Sequence, residues 1–193
     1  MGQIILSGFD SATGQYTTTE NVIDNTPGIT QVASNTLFTQ TADATVSNTT
    51  TETTLIGSGT GTVTLPANFI TVGKTFRIRM WGLSSQAVGN TTLKIKLGSV
   101  VLASTGAVAV IIASDALIQL EAYFTCRSTG GSGTVYSQGI ATIGATSVQP
   151  MTNVSVATID TTISNAIDVT ITMSSASVSN IVVSNLIIIE VLN

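Results

Sequence analysis

Few side chains in this sequence could do chemistry. The 193 residues include ten carboxylates, six cations and a single cysteine, Cys126, and there is no histidine. Without histidine there is no imidazole acid–base catalyst, no Ser/His/Asp triad and no Cys/His zinc site, and one cysteine closes no disulfide within the chain. A glycosidase needs two carboxylates facing each other across a cleft. Asp10, Glu20, Asp24, Asp43, Glu52, Asp115, Glu121, Asp160, Asp168 and Glu190 are scattered, with no local pair of that kind. Glu20, Asp24 and Asn25 come nearest to an oxygen cluster for calcium and read better as solvated loop residues. Gly57-Ser-Gly-Thr-Gly61 is faintly like a phosphate loop, but it lacks the lysine and the following helix and reads as a tight β-turn. The expectation is a protein with no enzymatic activity, no cofactor and no metal.

The cations are more suggestive, because all six lie between Lys74 and Arg127. Period-2 alternation puts Arg77 and Arg79 on one strand face with Trp81, and Lys94 and Lys96 on another. A basic sheet face could dock on an acidic capsid or lipopolysaccharide surface. Pairing across strands within one sheet is the plainer expectation, with Glu121 as the internal partner. Trp81 beside arginines suits an interface anchor or a sugar platform, and equally a side chain packed under an arm. Cys126 falls on the apolar side of its strand, as a buried inert thiol would. Asn48, Asn90 and Asn153 each begin an Asn-x-Ser/Thr triplet, which a chain this rich in hydroxyls produces by chance.

These residues sit on an unusual background. Charged residues are 8% of the chain, against roughly 25% in an ordinary soluble domain. Thr (34) and Ser (21) occupy 55 of 193 positions, so the polar surface is mostly hydroxyl. Six cations and a net charge of −4 argue against nucleic acid as a partner. The first ten residues lack the basic start of a signal peptide, and Leu6 breaks the myristoylation pattern that Met1-Gly2 begins. The apolar run 185–192 is interrupted by Glu190 and is far below the ~18 residues of a membrane helix. No membrane association is expected.

The elements that must position these side chains are strands. Residues 1–34 are rich in Gly, Thr and Asn and weakly patterned. Their apolar residues, among them Ile4, Ile5, Leu6 and Phe9, do not alternate long enough to form a core. This stretch is expected to be an extended N-terminal arm that docks along a neighbour during assembly. From residue 35 β-branched residues dominate. Thr75–Trp81 alternates cleanly, with Phe76, Ile78 and Met80 opposite Arg77, Arg79 and Trp81. Leu93–Leu97 and Val100–Ala103 flank Gly98-Ser99, a two-residue hairpin connection. Leu117–Arg127, Val135–Ile143, Ala166–Met173 and Ile181–Leu192 follow. This makes about eight strands over 35–193 without an amphipathic helix. Long strands with a few long crossovers predict an all-β, jelly-roll-like antiparallel β-sandwich as one domain. The last strand carries apolar residues on both faces, so a neighbouring subunit or the arm should cover one of them. Ile187 and Ile189 are therefore interface candidates, beside Arg77, Arg79, Trp81 and the arm residues.

The stretch from Gly59 through Thr62-Val-Thr-Leu-Pro-Ala-Asn68 and Val72-Gly-Lys74 to Trp81-Gly82 resembles a pattern in structural proteins of tailed phages, where such a link opens a jelly-roll domain. The segments Leu93–Ser104 and Leu117–Arg127 fit the same scheme. The resemblance covers about residues 55–145, and no catalytic residue anchors it. It implies a virion component: a capsid decoration (cement) protein, a head fibre or a tail fibre. The leading expectation is a cement or head-fibre protein, self-associating as a homotrimer and contacting the major capsid protein. The alternative is a tail-fibre or tail-tip domain that recognises a host glycan or protein through the loops around Ser84–Thr92 and Arg127–Gly133.

Overall fold

The computed structural model describes residues 9–10, 15–16, 35–110, 113–144, 146, 148–153 and 155–193. The chain divides into two units, Met1–Asn35 and Thr36–Asn193. In the first, β1 (Phe9–Asp10) pairs antiparallel with β2 (Gln15–Tyr16), Phe9 opposite Tyr16. Ile4, Ile5 and Leu6 lie outside the described residues.

The second unit is all-β. Its strands are β3 (Thr36–Gln40), β4 (Ala44–Ser47), β5 (Thr53–Thr54), β6 (Gly59–Gly61), β7 (Thr64–Leu65), β8 (Thr75–Gln86), β9 (Asn90–Leu97), β10 (Val100–Ser104), β11 (Val108–Ala109), β12 (Ala113–Ser128), β13 (Gly133–Ile143), β14 (Gln149–Thr152), β15 (Ala157–Ile159), β16 (Asn165–Met173) and β17 (Ile181–Val191). Every pairing is antiparallel, and they define two leaves. The first runs β3/β4–β17–β8–β12–β13, and the second runs β5/β7–β16–β9–β10/β11.

In chain order, β3/β4, β5 with β7, β8, β9, β10, β12, β16 and β17 are eight positions, and β6 is an added edge strand on β3. The first leaf then reads 1-8-3-6 and the second 2-7-4-5. Successive segments nest as antiparallel partners that cross between leaves, which is the jelly-roll scheme. The insertion β13–β15 widens the first leaf. β14 also pairs with β10 at Thr152↔Ser104, so the two leaves join into one curled sheet.

Alternation explains the packing. Phe76, Ile78 and Met80 from β8, with Ile118, Leu120, Ala122 and Phe124 from β12, point inward and are essentially inaccessible. They belong to one core with Leu93, Ile95 and Leu97 of β9 and Ile167, Val169, Ile171 and Met173 of β16. Phe76 stacks on Phe124 with ring centroids 4.5 Å apart. Cys126 is buried in the same face, and burial pushes its thiol pKa up.

One irregularity sets the phase of β17. Its pairing with β8 slips between Ser184 and Leu186. Asn185 is the extra, exposed residue, and the inward positions change from Val182 and Ser184 to Ile187 and Ile189. Opposite the bulge lies Gly82, where a Cβ would sit 2.0 Å from the Val183 carbonyl oxygen. The glycine in the middle of β8 thus admits the bulged backbone. This corrects the expectation for Ile187 and Ile189. Both are completely buried in the chain's own core and are not available to another subunit. The outward residues of β17 are Ile181, Val183, Leu186, Ile188 and Glu190.

Buried polar groups tie the ends together. The Gln40 amide nitrogen donates to the Ser184 carbonyl at 2.7 Å, and its oxygen accepts from the Gly57 N–H at 3.0 Å. Asn180 accepts from the Ala87 N–H at 3.0 Å and donates to the carbonyls of Val88 and Ser175, each at 3.0 Å. It pins the 87–89 connection to the segment entering β17.

Candidate interaction surface

The outward side of the first leaf gathers the sequence-predicted residues. Ladder register sets them in rows across four strands. Val183, Leu83 and Leu117 form one row. Leu186, Trp81 and Gln119 form the next, extended by Thr142 on β13. Ile188, Arg79, Glu121 and Ile140 come third, and Glu190, Arg77, Tyr123 and Gln138 fourth. The face therefore grades from an aliphatic end to an ionic one.

At the ionic end Glu190 serves two arginines. Arg77 Nη2 lies 2.8 Å and Arg79 Nη2 3.3 Å from Glu190 Oε2. The Glu190 carboxylate, then the Tyr123 hydroxyl, hold Arg77 above its usual pKa. The Tyr123 hydroxyl donates to Glu121 Oε1. The Arg79 guanidinium lies 5.4 Å from the Trp81 ring centre, and Arg127 lies 4.3 Å from that of Tyr136. The expected pairing across strands is present, but with Glu190 rather than Glu121 as the carboxylate. Glu190 sits directly opposite Arg77 in the β17–β8 ladder, while Glu121 is opposite Arg79 and engaged by Tyr123.

Lys94 and Lys96 lie on the outside of the other leaf. Glu52 bridges them at 2.5 and 2.9 Å and also accepts from Thr170 Oγ1 at 3.0 Å. Hydrogen bonds from Lys94, then Lys96, hold the Glu52 carboxyl at about 2, below its ordinary 4.5. Lys74 donates to the Phe69 carbonyl at 2.9 Å and lies over the Phe69 ring. All six cations are thus engaged within the chain, which argues against a basic docking face.

Hydrophobic exposure on the first leaf is larger than the alternation of β8 alone suggested. Leu83, Leu117, Tyr123, Ile140 and Ile181 are 41, 47, 39, 55 and 37% exposed. Trp81 is half-buried. It lines a small recess of about 100 Å³ with Gln119, Glu121, Ile140 and Thr142. Sequence reasoning missed Leu117 and Ile140 as surface residues. The signal was present: each is an aliphatic residue in phase with the polar positions of its strand, Leu117 with Gln119 and Glu121, Ile140 with Gln138 and Thr142.

The expected end loops are shorter than anticipated. Ser84–Gln86 completes β8 and Asn90–Thr92 begins β9, leaving a connection of residues 87–89; 129–132 is the other. Among the described residues no three His, Cys, Asp or Glu side chains group as a metal site, and no helix is long and apolar enough to cross a membrane. No protein-family model matches the chain, and no curated protein or solved structure does.

Proposed function

We propose that this protein is a non-enzymatic structural component of a phage particle, a capsid decoration (cement) or head-fibre protein that self-associates and contacts the major capsid protein. The observation that carries the proposal is the outer face of the first leaf. The six cations of this jelly roll are engaged within the chain, and the outward side of the first leaf leaves Leu83, Leu117, Tyr123, Ile140 and Ile181 exposed. Aliphatic and aromatic side chains on the outward side of four neighbouring strands are what a contact surface would use. Such a protein strengthens a shell by spreading many individually weak contacts over its neighbours. The resemblance of residues 55–145 to virion jelly rolls supports the same reading.

A second reading, recognition of a host surface glycan or protein, is favoured by the recess beside Trp81, where an indole meets the polar groups of Gln119, Glu121 and Thr142. Co-sedimentation separates the two. The purified chain should pellet with shells that lack it and stay in the supernatant with host cells. The opposite result removes the cement reading in favour of the receptor-binding one.

A further inference from the structure

The geometry points to a second copy of this chain as the occupant of the outer face formed by β17, β8, β12 and β13, with Leu83, Leu117, Ile140 and Trp81 in the buried part of the contact. This deepens the proposed function, and it rests on the self-association in that reading.

Size is the first argument. Strands of 11 or 12 residues at ~3.3 Å per residue run about 36–40 Å, and four strands at ~4.8 Å span about 19 Å. The flat footprint is then roughly 700 Å², and side-chain relief raises the accessible area above it. A specific interface takes about 800 Å² from each partner, so this single face is large enough.

Charge is the second argument. The face carries Arg77, Arg79 and Arg127 against Glu121 and Glu190. Glu190 pairs with the first two in the plane of the sheet, Arg127 lies on Tyr136, and the five charges together sum to only +1. A nearly neutral face offers no strong field to steer an oppositely charged partner, and it sets up no repulsion when two identical faces meet. A patch that must complement itself has to be of this kind.

The chain also contains its own reporter, because Trp81 is the only tryptophan and lies in the middle of this face. Association of the full-length protein should be followed by sedimentation velocity and Trp81 emission from nanomolar to micromolar concentration. The wild type should be assembled at the upper end, and dilution should shift Trp81 emission to the red as the complex dissociates. Leu117→Glu and Ile140→Glu, both at exposed positions, should keep the far-UV circular dichroism and raise the dissociation constant by about tenfold or more. Val178→Glu, in a turn and 77% exposed, should leave it unchanged.

If the wild type assembles but the Leu117 and Ile140 variants do so equally well, with Trp81 emission constant on dilution, this face is not the contact and self-association survives elsewhere. A wild type that stays monomeric at micromolar concentration overturns the inference and the self-association with it. If a monomer's Trp81 emission reddens when residues 2–30 are deleted, the arm is the occupant. If the charge variants abolish shell binding by a monomer, the occupant is the shell protein. Either result overturns the inference and leaves the cement reading standing.

Discussion

Replacing Glu52 with glutamine removes the charge that Lys94 and Lys96 share while keeping the side chain's shape. Donors from Lys94, Lys96 and Thr170 hold the carboxyl at about 2 against an ordinary 4.5. That difference is worth at most about 3.4 kcal/mol by linkage. The Glu52 side chain is 28% exposed, so solvent screening should leave about 1–2 kcal/mol. Because the folded-state pKa is lowered, this stability is fully present above the unfolded value near 4.5 and is lost as the pH falls through about 2. Urea unfolding of wild type and Glu52→Gln should therefore differ by about 1–2 kcal/mol at pH 7, with equal m-values. The gap should hold down to about pH 4.5, close by about pH 2, and shrink in ~1 M salt. Equal stabilities at neutral pH, or a gap that does not close in acid, would mean that Glu52 does not clamp the start of β5 to β9 and β16.

Gly82→Ala should destabilise by more than about 3 kcal/mol or abolish soluble expression, because the new Cβ meets the Val183 backbone oxygen rather than a movable side chain; thermal melting checks this. Phe124→Ala should cost about 3–5 kcal/mol in chemical denaturation, through loss of the Phe76 stack and the cavity left between the leaves. Cys126 should resist a thiol reagent at mildly alkaline pH in the folded protein and react fully in denaturant, since burial both covers the sulfur and raises its pKa.

The parts of the fold legible in the sequence were those governed by local alternation. Thr75–Trp81, Leu117–Arg127 and Ala166–Met173 fall in strands, Thr75–Trp81 with the expected faces, and Gly98-Ser99 makes the expected hairpin. Features set by register between distant segments were less legible. Glu190 meets Arg77 across 113 residues of sequence, and no local pattern marks that pairing. The phase change at Asn185 made Ile187 and Ile189 look like one of two apolar faces, because an extra residue in a bulge is invisible to a fixed period of two. The short strand β6 also escaped: Gly57–Gly61 reads locally as a tight turn, yet Gly59–Gly61 pairs with β3, a contact that three residues carry no periodicity to announce. The candidate surface was half legible: Arg77, Arg79 and Trp81 share a face as predicted, while Leu117 and Ile140, though in phase with the polar positions of their own strands, join that face through the β8–β12–β13 register.

The proposed place of this chain is in a phage particle, as a structural component. Immunogold labelling of intact purified particles, with antibody raised against the full chain, tests it most directly. Regularly repeated label on the shell, or on fibres projecting from it, is the expected result. Label confined to the tail tip would instead support the receptor-binding reading. Particles without label, from a lysate whose soluble fraction contains the protein, would contradict a structural role in the virion.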